Sequence, residues 1–170
     1  MKNVINNIKA PDEWVSENDW DSHRELLWLV MNNTYGRVIE LGVGYGSSSV
    51  LEKYCQNTNR QLFSLETNKQ WSDKFKNSIL VDNYDKATIF TPCDVIFVDS
   101  APGENRKNII EVFANMANII AVHDTELGAE YVYGMSEILS TFKYRLNYEP
   151  VGKPHTTVVS NFIDVTKWVA

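Results

Sequence analysis

Val38-Ile-Glu-Leu-Gly-Val-Gly-Tyr-Gly-Ser-Ser-Ser49 joins a β-branched run to glycines at 42, 44 and 46 and then to a helix start. The order strand, tight turn, helix N-terminus is that of a nucleotide-binding α/β unit. Glycines in such a turn let the backbone approach a ligand and take angles that a Cβ forbids. A dinucleotide fingerprint beginning at Gly42 and Gly44 requires a third glycine at 47, where the chain has Ser47. The third glycine is Gly46 instead, and the acid Glu40 stands at the strand end. An acid beside the turn repels a pyrophosphate and can pair with a cationic ligand; its other reading is the polar end of a strand.

Working outward, 170 residues suffice for one domain with a real core. The formal charge of −6, with acids and bases mixed along the chain, offers no basic stripe for a polyanion, so nucleic acid is not the expected partner. Cys55 and Cys93 form no metal-like or redox-like spacing. With a polar N-terminus and no apolar run of membrane length, the expectation is a cytoplasmic protein with no membrane partner.

Residues 1–35 read as an N-terminal arm and helix, His23 to Asn32, capped by Asp21 or Ser22. Trp14 and Trp20 either pack this arm on the body or form a lid over a ligand. Residues 36–170 then alternate strands and helices, as a doubly wound parallel sheet requires. Strand two ends at Glu66, next to the glycine turn, where a ribose is held through its hydroxyls. Asp82, in the loop after the run 78–81, is placed near the base of a nucleoside or is a turn former. The continuous apolar run Val95-Ile-Phe-Val98 is a buried strand ending in Asp99, and Asn118 to Val122 is another, ending in His123-Asp124. Polar groups converging at strand ends in a crevice argue for a site.

These residues resemble a class I S-adenosylmethionine-dependent methyltransferase, most closely the small-molecule O-methyltransferases of the catechol and macrocin types. The resemblance rests on the turn Glu40 to Gly46, Glu66, Asp99 and His123-Asp124, and covers about residues 36–165. It implies a Rossmann-like seven-stranded sheet with a C-terminal antiparallel hairpin, for which Lys143 to Tyr148 and Thr156 to Ile163 supply the strands. It implies S-adenosyl-L-methionine as cofactor, with Glu40 near its methionine end, Gly42, Gly44 and Gly46 beneath it, Glu66 on the ribose and Asp82 on the adenine side. Asp99 falls beside the sulfonium, and Asp99 with Asp124 are the candidate ligands of a divalent metal such as magnesium. Thr125 stands where the catechol-type pattern has an Asn, which weakens the magnesium set.

Methyl transfer to a hydroxyl needs a proton acceptor, and His123, oriented by Asp124, has suitable chemistry; it can equally be structural. Arg106 is read as a substrate-orienting group or as solvent-facing support. The leading expectation is a methyltransferase acting on a small molecule. Its rivals are an inactive S-adenosylmethionine-binding module and an enzyme that cleaves the cofactor. Large side chains at Tyr144, Leu146, Tyr148, Val158, Phe162 and Trp168, expected near an exposed sheet edge, point to a homodimer.

Overall fold

The computed structural model describes residues 3–169. Its strands are β1 (Asn3–Ile5), β2 (Val38–Leu41), β3 (Leu62–Glu66), β4 (Ser78–Leu80), β5 (Cys93–Val98), β6 (Ala117–His123), β7 (Tyr144–Tyr148) and β8 (Thr156–Ser160). The helices are α1 (Arg24–Asn32), α2 (Ser48–Asn57), α3 (Lys69–Ser72), α4 (Arg106–Phe113), α5 (Leu127–Tyr133) and α6 (Ser136–Ser140). All eight strands form one sheet in the order β1-β7-β8-β6-β5-β2-β3-β4, and β8 alone runs antiparallel to its neighbours. The fold is therefore the mixed, doubly wound Rossmann-like sheet with a C-terminal hairpin, extended by one strand beyond the seven expected.

The central strands alternate sides as a sheet buried on both faces must. Ile39, Leu41, Ile96, Val98, Ile120 and Val122 enter a core closed by α4 and α6 through Ile109, Ile110, Phe113 and Leu139. Val38, Val95, Phe97, Ile119 and Ala121 enter the opposite core, closed by α1 and α2 through Leu26, Leu27, Val30 and Leu51. The helices' apolar faces supply the covering layers, so both faces of the sheet are dry.

The eighth strand comes from the arm. Asn3, Val4 and Ile5 pair in parallel with Leu146, Asn147 and Tyr148, so β7 is not an edge. Two apolar residues between asparagines are too short a run to announce a strand, and the pairing depends on β7 presenting its free edge. Of the large side chains near this edge, Leu146, Tyr148 and Val158 are buried within the chain, Tyr144 and Trp168 are partly buried against the same core, and Phe162 is exposed.

Some boundaries also move. Gly134, with φ +60°, ends α5 in the left-handed region and separates it from α6. The expected cap of α1 belongs to a preceding turn instead: Asn18 accepts from Trp20 N at 2.9 Å, and Asp21 accepts from Asn18 N at 2.9 Å. Asn68 caps α3 by accepting from Gln70 N and Trp71 N. Trp14 is buried and packs edge-on against Tyr54 at 5.7 Å, whereas Trp20 is 85% exposed.

Candidate active site

A cleft of about 990 Å³ opens at the carboxyl ends of β2, β3, β5 and β6. It is bounded by the turn Val43 to Ser47, by Glu66 to Asn68, by Asp99, His123 and Asp124, and at its mouth by Trp20. Doubly wound sheets bind ligands at this place, and the volume suits a nucleoside-sized molecule. Gly42 holds φ +92°, and a Cβ there would lie 2.4 Å from the Asp99 carbonyl, so the turn crosses directly over the end of β5. A Cβ at Gly46 would meet the Trp20 carbonyl at 2.6 Å, which fixes the arm against the turn. Gly44 has no neighbour within 4 Å of its Cβ position and borders the cleft, leaving bare backbone for a ligand to approach.

Glu40 lies beneath this turn and is not among the residues bounding the cleft. It is fully buried on the α2 side, where Oε1 accepts from Ser47 Oγ at 2.5 Å and Ser48 Oγ at 2.9 Å. Burial pushes its carboxyl up to about 7, against the hydroxyls of Ser47, Ser64 and Ser48, which favour the anion. The placement is that of a brace between β2 and the N-terminus of α2. Glu66 does bound the cleft: Oε2 accepts from Val43 N at 3.1 Å, and Oε1 accepts from Thr67 N and Asn68 N, each at 2.8 Å. Asp82 does not bound the cleft; its side chain is exposed, accepts from Asn83 N at 3.1 Å and lies 3.9 Å from Lys86 Nζ.

The floor of the cleft is a network of four charges. Arg106 is buried and donates from Nη2 to Asp99 Oδ1 and from Nη1 to Asp124 Oδ2, both at 3.0 Å. It also donates from Nε to the Ser100 carbonyl and from Nη1 to the His123 carbonyl, each at 2.9 Å. Neither role read from the sequence for Arg106 describes it. Its position at the first turn of α4 was the available signal, because a cation there opposes the helix dipole and must have anionic partners to be held. Asp124 stands at φ +55°, a left-handed conformation that aspartate tolerates better than most residues and that places it beside both Arg106 and His123.

His123 is held at both ring nitrogens. Ser22 Oγ lies 3.0 Å from His123 Nε2 and 3.0 Å from the Pro154 carbonyl, to which it can donate. On the other side Nδ1 faces Asp99 Oδ1 and Asp124 Oδ1, each at 3.4 Å. Two carboxylates facing Nδ1 favour the protonated, charged ring. Burial opposes that charge, yet the Asp99 carboxylate, by its charge and hydrogen bond, and Asp124 outweigh it and raise the His123 pKa. Burial likewise disfavours the Asp99 anion, but His123 and then Arg106 pull its carboxyl down to about 2. His123 turns Nδ1 to Asp99 and Asp124 and Nε2 to Ser22, so both ring nitrogens are engaged within the network.

Asp99 and Asp124 do not fit magnesium. The guanidinium of Arg106 occupies the space between their carboxylates, and the Thr125 hydroxyl is turned to Thr157 Oγ1 at 2.9 Å. Magnesium demands a near-octahedral shell of oxygens, which a cation bridging its two acids denies. The network also includes a residue the sequence reading did not single out. His23, just before α1, packs its ring against His123 at 4.6 Å and Phe97 at 4.9 Å.

Comparison with solved structures identifies the architecture. The chain matches the cofactor-bound Rv0187 from MTB with a TM-score of 0.63 at 13% identity, over 90% of this chain and 84% of that one. It matches the SAH-bound methyltransferase PaMTH1 of Podospora anserina with a TM-score of 0.54 at 14% identity, over 89% and 82%. It matches the precorrin-6y C5,15-methyltransferase of Geobacter metallireducens GS-15 with a TM-score of 0.52 at 17% identity, over 92% and 94%. The chain has the methyltransferase fold. At these identities the likeness establishes fold and not substrate. No protein-family model and no curated protein matches the sequence.

Proposed function

We propose that the protein is an S-adenosyl-L-methionine-dependent methyltransferase acting on a small molecule. The observation that carries the reading is the cleft itself, in which bare backbone at Gly44 faces Glu66 at the carboxyl end of the sheet. Glu66 fits a ribose: Oε1 is taken by two backbone donors and Oε2 by one, which leaves Oε2 a lone pair for a sugar hydroxyl. The bonds to Asp99 from Arg106 and His123 both fall on Oδ1, leaving Oδ2 for a cationic or hydroxylic ligand. When bound, the cofactor supplies an electrophilic methyl group on a sulfonium centre.

This chain's contribution is to bind and align. The four floor charges balance, so the cleft carries preorganised dipoles with no net charge from this network, and no covalent enzyme intermediate is needed. With both nitrogens of His123 engaged, the carboxylates of Asp99 and Asp124 are the proton acceptors that the floor network turns toward the cleft. Carboxylates are weak bases near neutral pH, which favours an acidic hydroxyl such as a phenol or enol as the methyl acceptor.

Calorimetry with S-adenosylmethionine and S-adenosylhomocysteine, followed by mass spectrometry of a mixture of phenols, enols and aliphatic alcohols, tests the reading. Micromolar binding of both cofactors and a gain of one methyl on a phenol or enol are expected. Binding of neither cofactor overturns the assignment; binding with loss of the methyl to water assigns a cofactor-cleaving enzyme, and binding without turnover assigns an inactive module.

A further inference from the structure

His23 is an anomaly that the cleft chemistry does not absorb. It is 1% exposed, and neither Nδ1 nor Nε2 has a hydrogen-bond partner among the described residues. A neutral imidazole carries one donor and one acceptor, and leaving both unmet in the interior is destabilising. As the neutral imidazole, His23 keeps one lone pair that no described residue takes. Proteins retain such a group where something takes that lone pair.

One ligand atom each from His23, Asp99 and His123 lies within 4.8 Å of the others. The spacing at His123 Nδ1 is more telling. At 3.4 Å, its contacts with Asp99 Oδ1 and Asp124 Oδ1 are long for charge-assisted hydrogen bonds, which run about 2.7–2.9 Å. Ligand atoms bound tetrahedrally at about 2.0–2.1 Å from a common ion are roughly 3.3–3.4 Å apart. The outer contacts match as well: His123 Nε2 lies 3.0 Å from Ser22 Oγ, which also reaches the Pro154 carbonyl, and Arg106 holds Asp99. A ligating imidazole is normally oriented in this way through its second nitrogen.

We propose that His23, His123 and Asp99 form a binding site for a divalent transition metal of the zinc class, with its remaining coordination position toward the cleft. Two imidazoles and one carboxylate select zinc, cobalt or iron over magnesium, which separates this site from the Asp99 and Asp124 pair excluded above. Metal entry replaces the Nδ1 proton of His123, which is released to solvent, and draws the ligand atoms together by about an ångström.

The test uses the full chain after treatment with a chelator and needs no S-adenosylmethionine, so its failure leaves the cofactor assignment standing. Cobalt(II) is added while visible d–d absorption is recorded, and zinc is then titrated in. A spectrum that saturates at one equivalent and is abolished by zinc is expected. His23→Asn should weaken cobalt affinity roughly tenfold or more, and Ser22→Ala, which leaves all three ligands in place, by roughly tenfold. Circular dichroism reports whether each variant is folded, and Ser22→Ala decides the matter if His23→Asn is not. Absence of a cobalt spectrum together with no zinc-induced rise in melting temperature at millimolar metal overturns the proposal. So does an affinity unchanged in the folded variant, or a response to magnesium alone.

Discussion

Glu66 joins the cleft to the fold, because the carboxylate that can receive a ribose also ties Val43 N to Thr67 N and Asn68 N. Glu66→Ala should therefore show two losses. Cofactor affinity falls roughly ten- to a hundredfold, as expected for charge-assisted bonds of about 1.5–3 kcal/mol. The melting temperature of the unliganded protein also falls, by about 2–4 °C for each kcal/mol lost in a chain of this size. Calorimetry and thermal melts separate the two, and unchanged cofactor affinity in a folded variant contradicts the ribose assignment. Glu40 gives a different signal. Its folded-state pKa, about 7 against an ordinary 4.5, means that the folded chain keeps a proton the unfolded chain has lost. This contribution to stability is full below pH 4.5 and declines as pH rises to about 7, by on the order of 3 kcal/mol for a group buried in this way. Glu40→Gln keeps an acceptor for Ser47 and Ser48 and removes the titration. Denaturant unfolding of both proteins between those pH values should show the wild type losing stability relative to the variant; parallel curves would mean that Glu40 titrates normally.

At the scale of elements, the arm and the glycine turn are interlocked at Gly46. An added Cβ would press the Trp20 carbonyl at 2.6 Å and the His23 ring at 3.0 Å, so Gly46→Ala must displace the segment that carries both Trp20 and His23. The expected result is a loss of about 1–3 kcal/mol, the range for overpacking, with increased proteolytic cleavage between residues 15 and 23. Wild-type stability and cleavage would show that the arm is not anchored there. Elements with a strong local pattern were legible from the sequence: β5 and β6 as continuous apolar runs, the turn after β2 from its glycines, and Glu66 from its place at a strand end. Features made by distant partners were not. The strand β1 needs the free edge of β7, the buried setting of Arg106 needs two acids, the residues just after β5 and β6, and His23 enters the site through the arm's path over Gly46. No window of sequence contains those relations. The setting of Glu40 was open for a local reason: a strand-end acid can face the ligand or the helix beneath it, and the alternation of β2 turns it to Ser47 and Ser48 at the start of α2.

Over the whole molecule, charge restricts what can enter the cleft. The chain carries a formal net charge of −6, and Asp19, Glu66, Asp99 and Asp124 all border the opening. The single arginine bordering it, Arg106, is buried and committed to Asp99 and Asp124, so its charge is not offered to a phosphate chain. Polyanion binding draws its affinity from exposed Lys and Arg that release counterions, and the cleft presents the opposite sign. Single-stranded RNA and duplex DNA should therefore show no saturable binding at micromolar protein in moderate salt. A fluorescence-anisotropy titration repeated at low and high salt checks this. Tight binding that weakens steeply with salt would require a phosphate-reading face and would redirect the search for the methyl acceptor from small molecules to nucleic acid. A flat response at both salt concentrations is the expected outcome, because Asp19, Glu66, Asp99 and Asp124 give the opening the sign that repels a phosphate chain.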